Sequence, residues 1–340
     1  MEPTPLRFAK HPEGWGSSTD PGQPEVWFGA ILALAGRAAH PQGAPQISRP
    51  LGRHKHLTDS KQLSMSQTIA KTVKGPVEYR LEGNGPTVMV LNGGHCSRES
   101  RLSHERLAEH GFSVLTPSRP GYDSTPSEVG RTAQQAADAL AALMDSLQIP
   151  IAHVIGISAS GPTALAFALR HPGRIRKLVM ESAVTTAWPE DRKVARGARL
   201  LFGRAERVTW GSIKLVMRLA PIVMMRAMLQ EMTTLDAGDV IRRMSPEDLR
   251  FVRRLIETSQ SGTGFINDLD HRVDDLSGIT APVLAMYSPY DKSVPPKNAQ
   301  RVASEVAACE LYEVPADTHL IWIGKSAKDV WHKRLSFLKA

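Results

Sequence analysis

The sequence predicts an α/β protein: a mostly parallel central sheet with helices on both faces, and a long helical segment inserted before the sheet resumes. Three observations carry this. First, Ala152 to Ile157 is a short apolar run with β-branched Val154 and Ile155, and it passes directly into Ser158-Ala159-Ser160-Gly161 and the alanine- and leucine-rich stretch Pro162 to Arg170. That is a strand, a tight turn and a helix. Second, apolar strand-like runs alternate with helix-spaced ones on both sides of this unit, as a parallel sheet with crossover helices requires. Third, the alternation stops between about Thr185 and Thr280, where the pattern becomes helical throughout.

Composition narrows the function classes. The chain has 340 residues, long enough for a large buried core, and its 41% hydrophobic content is ordinary for a folded globular protein. Lys+Arg exceed Asp+Glu by 42 to 34, for a net charge of +8. The basic residues are scattered, with no aromatic-interleaved basic stripe and no helix-turn-helix or zinc-finger spacing, so the excess reads as solubility rather than nucleic-acid binding. Two cysteines, Cys96 and Cys309, make no disulfide framework, and no Cys/His cluster has metal-ligand spacing. A reducing, cytoplasmic setting fits, and no metal or organic cofactor is called for. No apolar run is long enough to cross a membrane, so no integral membrane association is expected.

In chain order, residues 1–64 are rich in Pro, Gly, His and polar residues with little periodicity, and are expected to be a disordered extension. Within them Val26 to Ala39 resembles the apolar part of a secretion signal, but the preceding Glu2, Glu13, Asp20 and Glu25 make a poor amino-terminal region for one. Met65 is an alternative start. From there, Val77 to Leu81 and Thr87 to Leu91 read as strands joined by the turn Gly83-Asn84-Gly85-Pro86. The second strand ends in Asn92-Gly93-Gly94-His95. Arg101 to Glu109 reads as helix, Ser113 to Thr116 as strand, and Thr132 with Gln135 as a capping box opening a helix to about Leu147. Lys177 to Met180 is a further buried strand.

The inserted segment carries Met217, Met224, Met225, Met228 and Met232 at helical spacing among basic residues, with breaks at Pro221, Gly238, Pro246 and Gly262. Three readings stand side by side: these methionines line an adaptable apolar pocket, they pack the segment onto the sheet, or the segment is a basic amphipathic surface lying on a membrane. Asn267 and Asp268 either reach such a pocket or cap a helix. Strands resume at Ala281 to Tyr287 and Glu310 to Val314, and Ser326 to Leu338 closes as a helix.

The stretch Gly156-Ile157-Ser158-Ala159-Ser160 resembles the nucleophile elbow of the α/β-hydrolase family, G-x-S-x-G, with Ser160 and then Gly161 where the second glycine stands. The resemblance extends to Asn92-Gly93-Gly94, where the family completes its oxyanion hole, and to Arg119-Pro120-Gly121-Tyr122, given a structural part. It also covers Asp291 in the loop after one strand and His319 in Pro315-Ala316-Asp317-Thr318-His319, with Thr318 replacing the customary glycine. It implies a catalytic triad of Ser158, Asp291 and His319, with the backbone N–H groups of Gly94 and Ala159 as oxyanion donors and His95 as rival donor. Cys96 lacks the strand-turn-helix setting of a nucleophile. An aspartate at position 158 would point to dehalogenase or epoxide chemistry; serine points to acyl transfer.

Residues 65–184 and 281–340 are then expected to form the α/β-hydrolase core and 185–280 a helical cap, with His95, Met224, Met228 and Trp322 in the pocket for a small-molecule substrate. The expected activity is hydrolysis of an ester or related acyl bond of a small apolar substrate. The family also hosts cofactor-free perhydrolases, lyases and C–C bond hydrolases on the same three residues, and members that bind ligands without turnover.

Overall fold

The computed structural model describes residues 68–189 and 192–340. The expected tail over 1–64, the Val26 to Ala39 patch and the alternative start at Met65 lie outside them. The strands are β1 (Thr68–Thr72), β2 (Gly75–Glu82), β3 (Thr87–Leu91), β4 (Ser113–Pro117), β5 (Ala152–Ile157), β6 (Ile175–Glu181), β7 (Val283–Tyr287) and β8 (Cys309–Glu313). They form one eight-stranded sheet in the order β1-β2-β4-β3-β5-β6-β7-β8. Only β1 with β2 and β2 with β4 pair antiparallel; every pairing from β4 through β8 is parallel.

Buried residues of the central strands alternate between two faces, which is why both faces are covered. On β5, Val154 packs with helices α1 (Ala133–Ser146) and α2 (Gly161–Arg170), while Ile155 and Ile157 face the opposite way. There they meet Leu107, Trp331 of the closing helix α10 (Ala327–Lys339), and apolar side chains from the segment between β6 and β7. That segment is helical: α3 (Arg192–Arg199), a wide turn at Leu200–Arg204, then α4 (Glu206–Leu219), α5 (Pro221–Gln230), α6 (Ala237–Arg243), α7 (Pro246–Thr258) and α8 (Gly264–Asp268). Helix α9 (Lys297–Glu305) links β7 to β8.

Local chemistry explains most boundaries. Pro221 and Pro246 begin α5 and α7, where a missing N–H costs nothing, and Ser245 and Asp248 cap each other at the start of α7. Gly238 sits inside α6 rather than breaking it. At α1 the Thr132 hydroxyl accepts the Gln135 N–H at 3.2 Å, but the Gln135 side-chain Oε1 accepts the backbone N–H of Arg131, one residue before the position a capping box requires.

Two features gave no local signal and one expectation is corrected. Strand β1 gives little sequence signal because Ile69 on this edge strand is 43% exposed. Strands β2 and β3, consecutive in the chain, are separated in the sheet by β4. Arg101 to Glu109 is only a tight 3₁₀ helix at His104–His110, which ends against Gly111 in a left-handed conformation.

Candidate active site

All six residues of β5 are buried, and the strand ends where Ser158 takes φ = +50°, a strained conformation for a residue with a side chain. Close approach sustains it. A Cβ on Gly156 would lie 2.6 Å from the Ala164 methyl, and one on Gly161 only 2.0 Å from the Val184 carbonyl oxygen. Ser160, by contrast, has ordinary helical geometry and needs no glycine. Its buried hydroxyl accepts the Ile157 N–H at 2.8 Å and reaches the Leu91 carbonyl oxygen at 2.7 Å, stitching the turn to β3.

Asp291 and His319 come from the loops after β7 and β8. The His319 Nδ1 is 2.6 Å from Asp291 Oδ2, and its Nε2 is 3.0 Å from Ser158 Oγ. Asp291 is fixed by accepting the Val294 N–H at 2.8 Å on its other oxygen. The His319 main chain is held on both sides: its N–H donates to the Met232 carbonyl at 2.8 Å and its carbonyl accepts the Ser182 hydroxyl at 3.0 Å. Thr318, where a glycine was customary, accepts the Leu320 N–H at 3.0 Å and tightens the turn.

The loop after β3 is anchored by Arg119, a residue to which the sequence assigned only a structural part. Its guanidinium donates to the carbonyl oxygens of Asn92 at 2.9 Å and Gly93 at 3.1 Å, and to both carboxylate oxygens of Asp268. Because a trans peptide sets C=O and N–H on opposite sides, holding the Gly93 carbonyl toward Arg119 turns the Gly94 N–H away from it. A Cβ on Gly93 would come within 3.0 Å of the Ser158 Cβ, and one on Gly94 within 3.3 Å of the Ala159 Cβ, so the loop lies directly against the elbow. Asp268 therefore turns to Arg119 and to the Tyr122 hydroxyl at 2.6 Å rather than to the cavity. Asn267 does not line the cavity either.

A cavity of about 390 Å³ opens over Ser158 and His319. Met224, Met228 and Met232 line it, with Phe202, Ile213 and Trp322, whereas Met217 and Met225 pack in the core. The two readings of the methionines thus divide by helix face. His95 also lines it, with φ = +61° and its ring tilted against Phe265 and Phe202, the centroids 3.9 and 4.5 Å away. Its Nδ1 lies 2.7 Å from the Ser261 hydroxyl, which accepts the Trp210 indole N–H at 2.8 Å. Burial pushes the His95 pKa down to about 3, so the ring is neutral. Burial likewise pushes the Cys96 thiol up to about 11, against a nucleophilic role.

Sequence reasoning missed Glu181 at the end of β6. This fully buried carboxylate accepts from Arg334 at 2.5 and 3.1 Å, from the His104 ring at 2.8 Å and from the Trp322 indole N–H, fixing a cavity wall three residues beyond His319. Burial alone would raise its pKa, but Arg334 and His104 outweigh burial and hold it well below the usual range. Among the described residues, no three His, Cys, Asp or Glu side chains are grouped to hold a metal ion.

A family model for the alpha/beta hydrolase fold matches residues 86–324. The chain belongs to the α/β-hydrolase family. An uncharacterized hydrolase, YcgS, of Bacillus subtilis is 34% identical over 272 residues, covering 78% of this chain and 96% of that one. A 2-hydroxy-6-oxononadienedioate/2-hydroxy-6-oxononatrienedioate hydrolase of Paraburkholderia phymatum is 26% identical, covering 64% of this chain and 76% of its own. Among solved structures, an alpha/beta hydrolase fold protein from Nakamurella multipartita superposes with a TM-score of 0.68 at 27% identity, over 79% of this chain and 97% of that one. In this α/β hydrolase, Ser158, Asp291 and His319 follow the fifth, seventh and eighth strands of the chain.

Proposed function

We propose that this α/β hydrolase cleaves an ester or related acyl bond of a small apolar substrate through an acyl-enzyme on Ser158. The hydrogen-bonded series Ser158 to His319 to Asp291, at 3.0 and 2.6 Å on the floor of an apolar cavity, carries the reading. His319 Nε2 takes the hydroxyl proton as Ser158 Oγ attacks the carbonyl carbon, and Asp291 stabilises the imidazolium. The oxyanion sits against the N–H groups of Gly94 and Ala159, each worth about 3 kcal/mol of transition-state stabilisation. His319 then protonates the leaving alcohol, and a water deprotonated by the same nitrogen releases the acid.

In this reading residues 185–280 act as a cap whose methionines shape the acyl or alcohol site over a core built from 65–184 and 281–340, in a protein of the cytoplasm. The test is labelling by a fluorophosphonate probe: intact protein labels and Ser158→Ala does not, and a panel of esters of rising chain length is cleaved best at apolar members. Absence of labelling in folded protein overturns the reading.

A second reading follows from the relatives named as hydrolases of 2-hydroxy-6-oxo dienoates: the same three residues cleave a C–C bond beside a ketone. Turnover of such a ketone with no turnover of esters would select it.

A further inference from the structure

Helix α4 is apolar on two sides. Its inner residues Thr209, Trp210 and Ile213 line the cavity, while Val208, Leu215 and Leu219 are 72%, 47% and 61% exposed on its outer side. Spacings of seven and four residues put these three in one stripe. Three residues after Leu219, Ile222 and Val223 at the start of α5 are 52% and 46% exposed, and Leu200 in the turn before α4 is 62% exposed. Of the twelve large hydrophobic residues exposed among the described residues, seven fall between Val194 and Val223, so the clustering is not the scatter of an ordinary surface.

The segment carrying this stripe is strongly basic, although Arg199 and Arg226 are paired with Asp270 and Asp236. Residues 192–226 contain nine Lys and Arg against one acid, Glu206, which is turned inward to the Ser261 N–H at 3.1 Å. Arg207, Lys214 and Arg218 each precede a stripe residue by one position, and with Arg204 they have no ion-pair partner among the described residues. A protein partner with an acidic apolar face is less simply matched than a surface offering both features everywhere. A nucleic acid would use the cations and leave the leucines in water.

We infer that the outer face of α4 and the start of α5 docks the protein peripherally on an anionic lipid bilayer, with the stripe entering the headgroup boundary and Arg207, Lys214 and Arg218 against the lipid phosphates. Val194 on α3, in the same basic segment, is both exposed and part of the cavity wall. The inference does not depend on the chemistry at Ser158.

The experiment is co-sedimentation of the full chain with vesicles of phosphatidylcholine alone and of phosphatidylcholine with phosphatidylglycerol, at low and high salt. Binding is expected only to the anionic vesicles and to weaken with salt. Each cation removed in Arg207→Gln/Lys214→Gln/Arg218→Gln should weaken it roughly fivefold, and Leu215→Ser/Leu219→Ser should weaken it at least tenfold. The control Lys71→Gln/Lys74→Gln/Lys325→Gln, with the same loss of charge elsewhere, should bind nearly as the parent does. Circular dichroism and thermal melting verify that each variant is folded.

No binding to anionic vesicles overturns the inference, as does binding that survives both stripe variants or falls equally in the control. So does a dimer of the full chain that Leu215→Ser/Leu219→Ser converts to monomer, which would make a second copy the occupant.

Discussion

Arg119 and Asp268 form a buried, two-pronged ion pair that joins the loop after β4 to the last helix before β7. Neither partner is more than 5% exposed, and the remaining guanidinium donors hold the Asn92 and Gly93 carbonyls. Its two ends lie 149 residues apart in sequence, so it couples the inserted helices to the loop beside Ser158.

Removing one partner leaves the other charge buried and unmatched, and Arg119→Ala or Asp268→Ala should destabilise the fold by about 3–5 kcal/mol. The pair variant Arg119→Met/Asp268→Leu should recover much of that in thermal denaturation, since a well-packed apolar pair replaces a buried ionic one at little net cost. It should not recover kcat toward an ester, because the Gly93 carbonyl loses its anchor and the Gly94 N–H its fixed direction. Full recovery of both quantities would show that Arg119 does nothing at the site beyond stability.

Asp291→Asn keeps the shape of the His319 contact while removing the charge that favours the correct tautomer. Steady-state kinetics with an ester substrate should show kcat down by about ten-thousandfold with KM nearly unchanged. A loss under tenfold would place the acid elsewhere.

Ser160→Gly would restore the family's usual glycine, yet it should lower stability by about 1–3 kcal/mol, because the buried Ile157 N–H loses its acceptor. Gly161→Ala should be worse, since its Cβ would meet the Val184 carbonyl at 2.0 Å with no flexible side chain to yield. Denaturant melts of the two variants give the comparison directly.

Acid should destabilise the protein through histidines kept neutral by burial. His153 is pushed down to about 4 by burial and by the nearby Arg176 and Lys177. The unfolded chain therefore binds a proton at this residue below about pH 6.5 while the folded chain does not. Stability from this group is complete above that pH and falls as pH drops toward the folded value. His153→Leu should flatten the decline in melting temperature between about pH 6.5 and 4, with an effect on the order of 1–3 kcal/mol at the acid end. An unchanged pH profile in this variant would exclude the mechanism.

Much of the fold was legible locally because strand and helix patterns report which faces are buried. The strand-turn-helix around Ser158 could be read from small residues at fixed spacing, whereas Asp291 and His319 were singled out by the resemblance of their loops to those of the family. Edge strand β1 was not legible, since half-exposed side chains erase the alternation. The methionine stripe stayed ambiguous for a related reason. Helical spacing shows that a face is apolar, but not whether a cavity or a packed side chain lies opposite, and here both occur on neighbouring turns.

The sequence by itself determined the order of elements, the parallel sheet and the chemical types available at its carboxyl edge, because backbone sterics and burial periodicity act over a few residues. Only the tertiary structure decided the partners of the buried charges. Arg119 with Asp268, and Glu181 with Arg334, His104 and Trp322, meet across 149, 153, 77 and 141 residues. Such pairings follow from the sheet order and the docking of helices, and no local pattern in the chain encodes them.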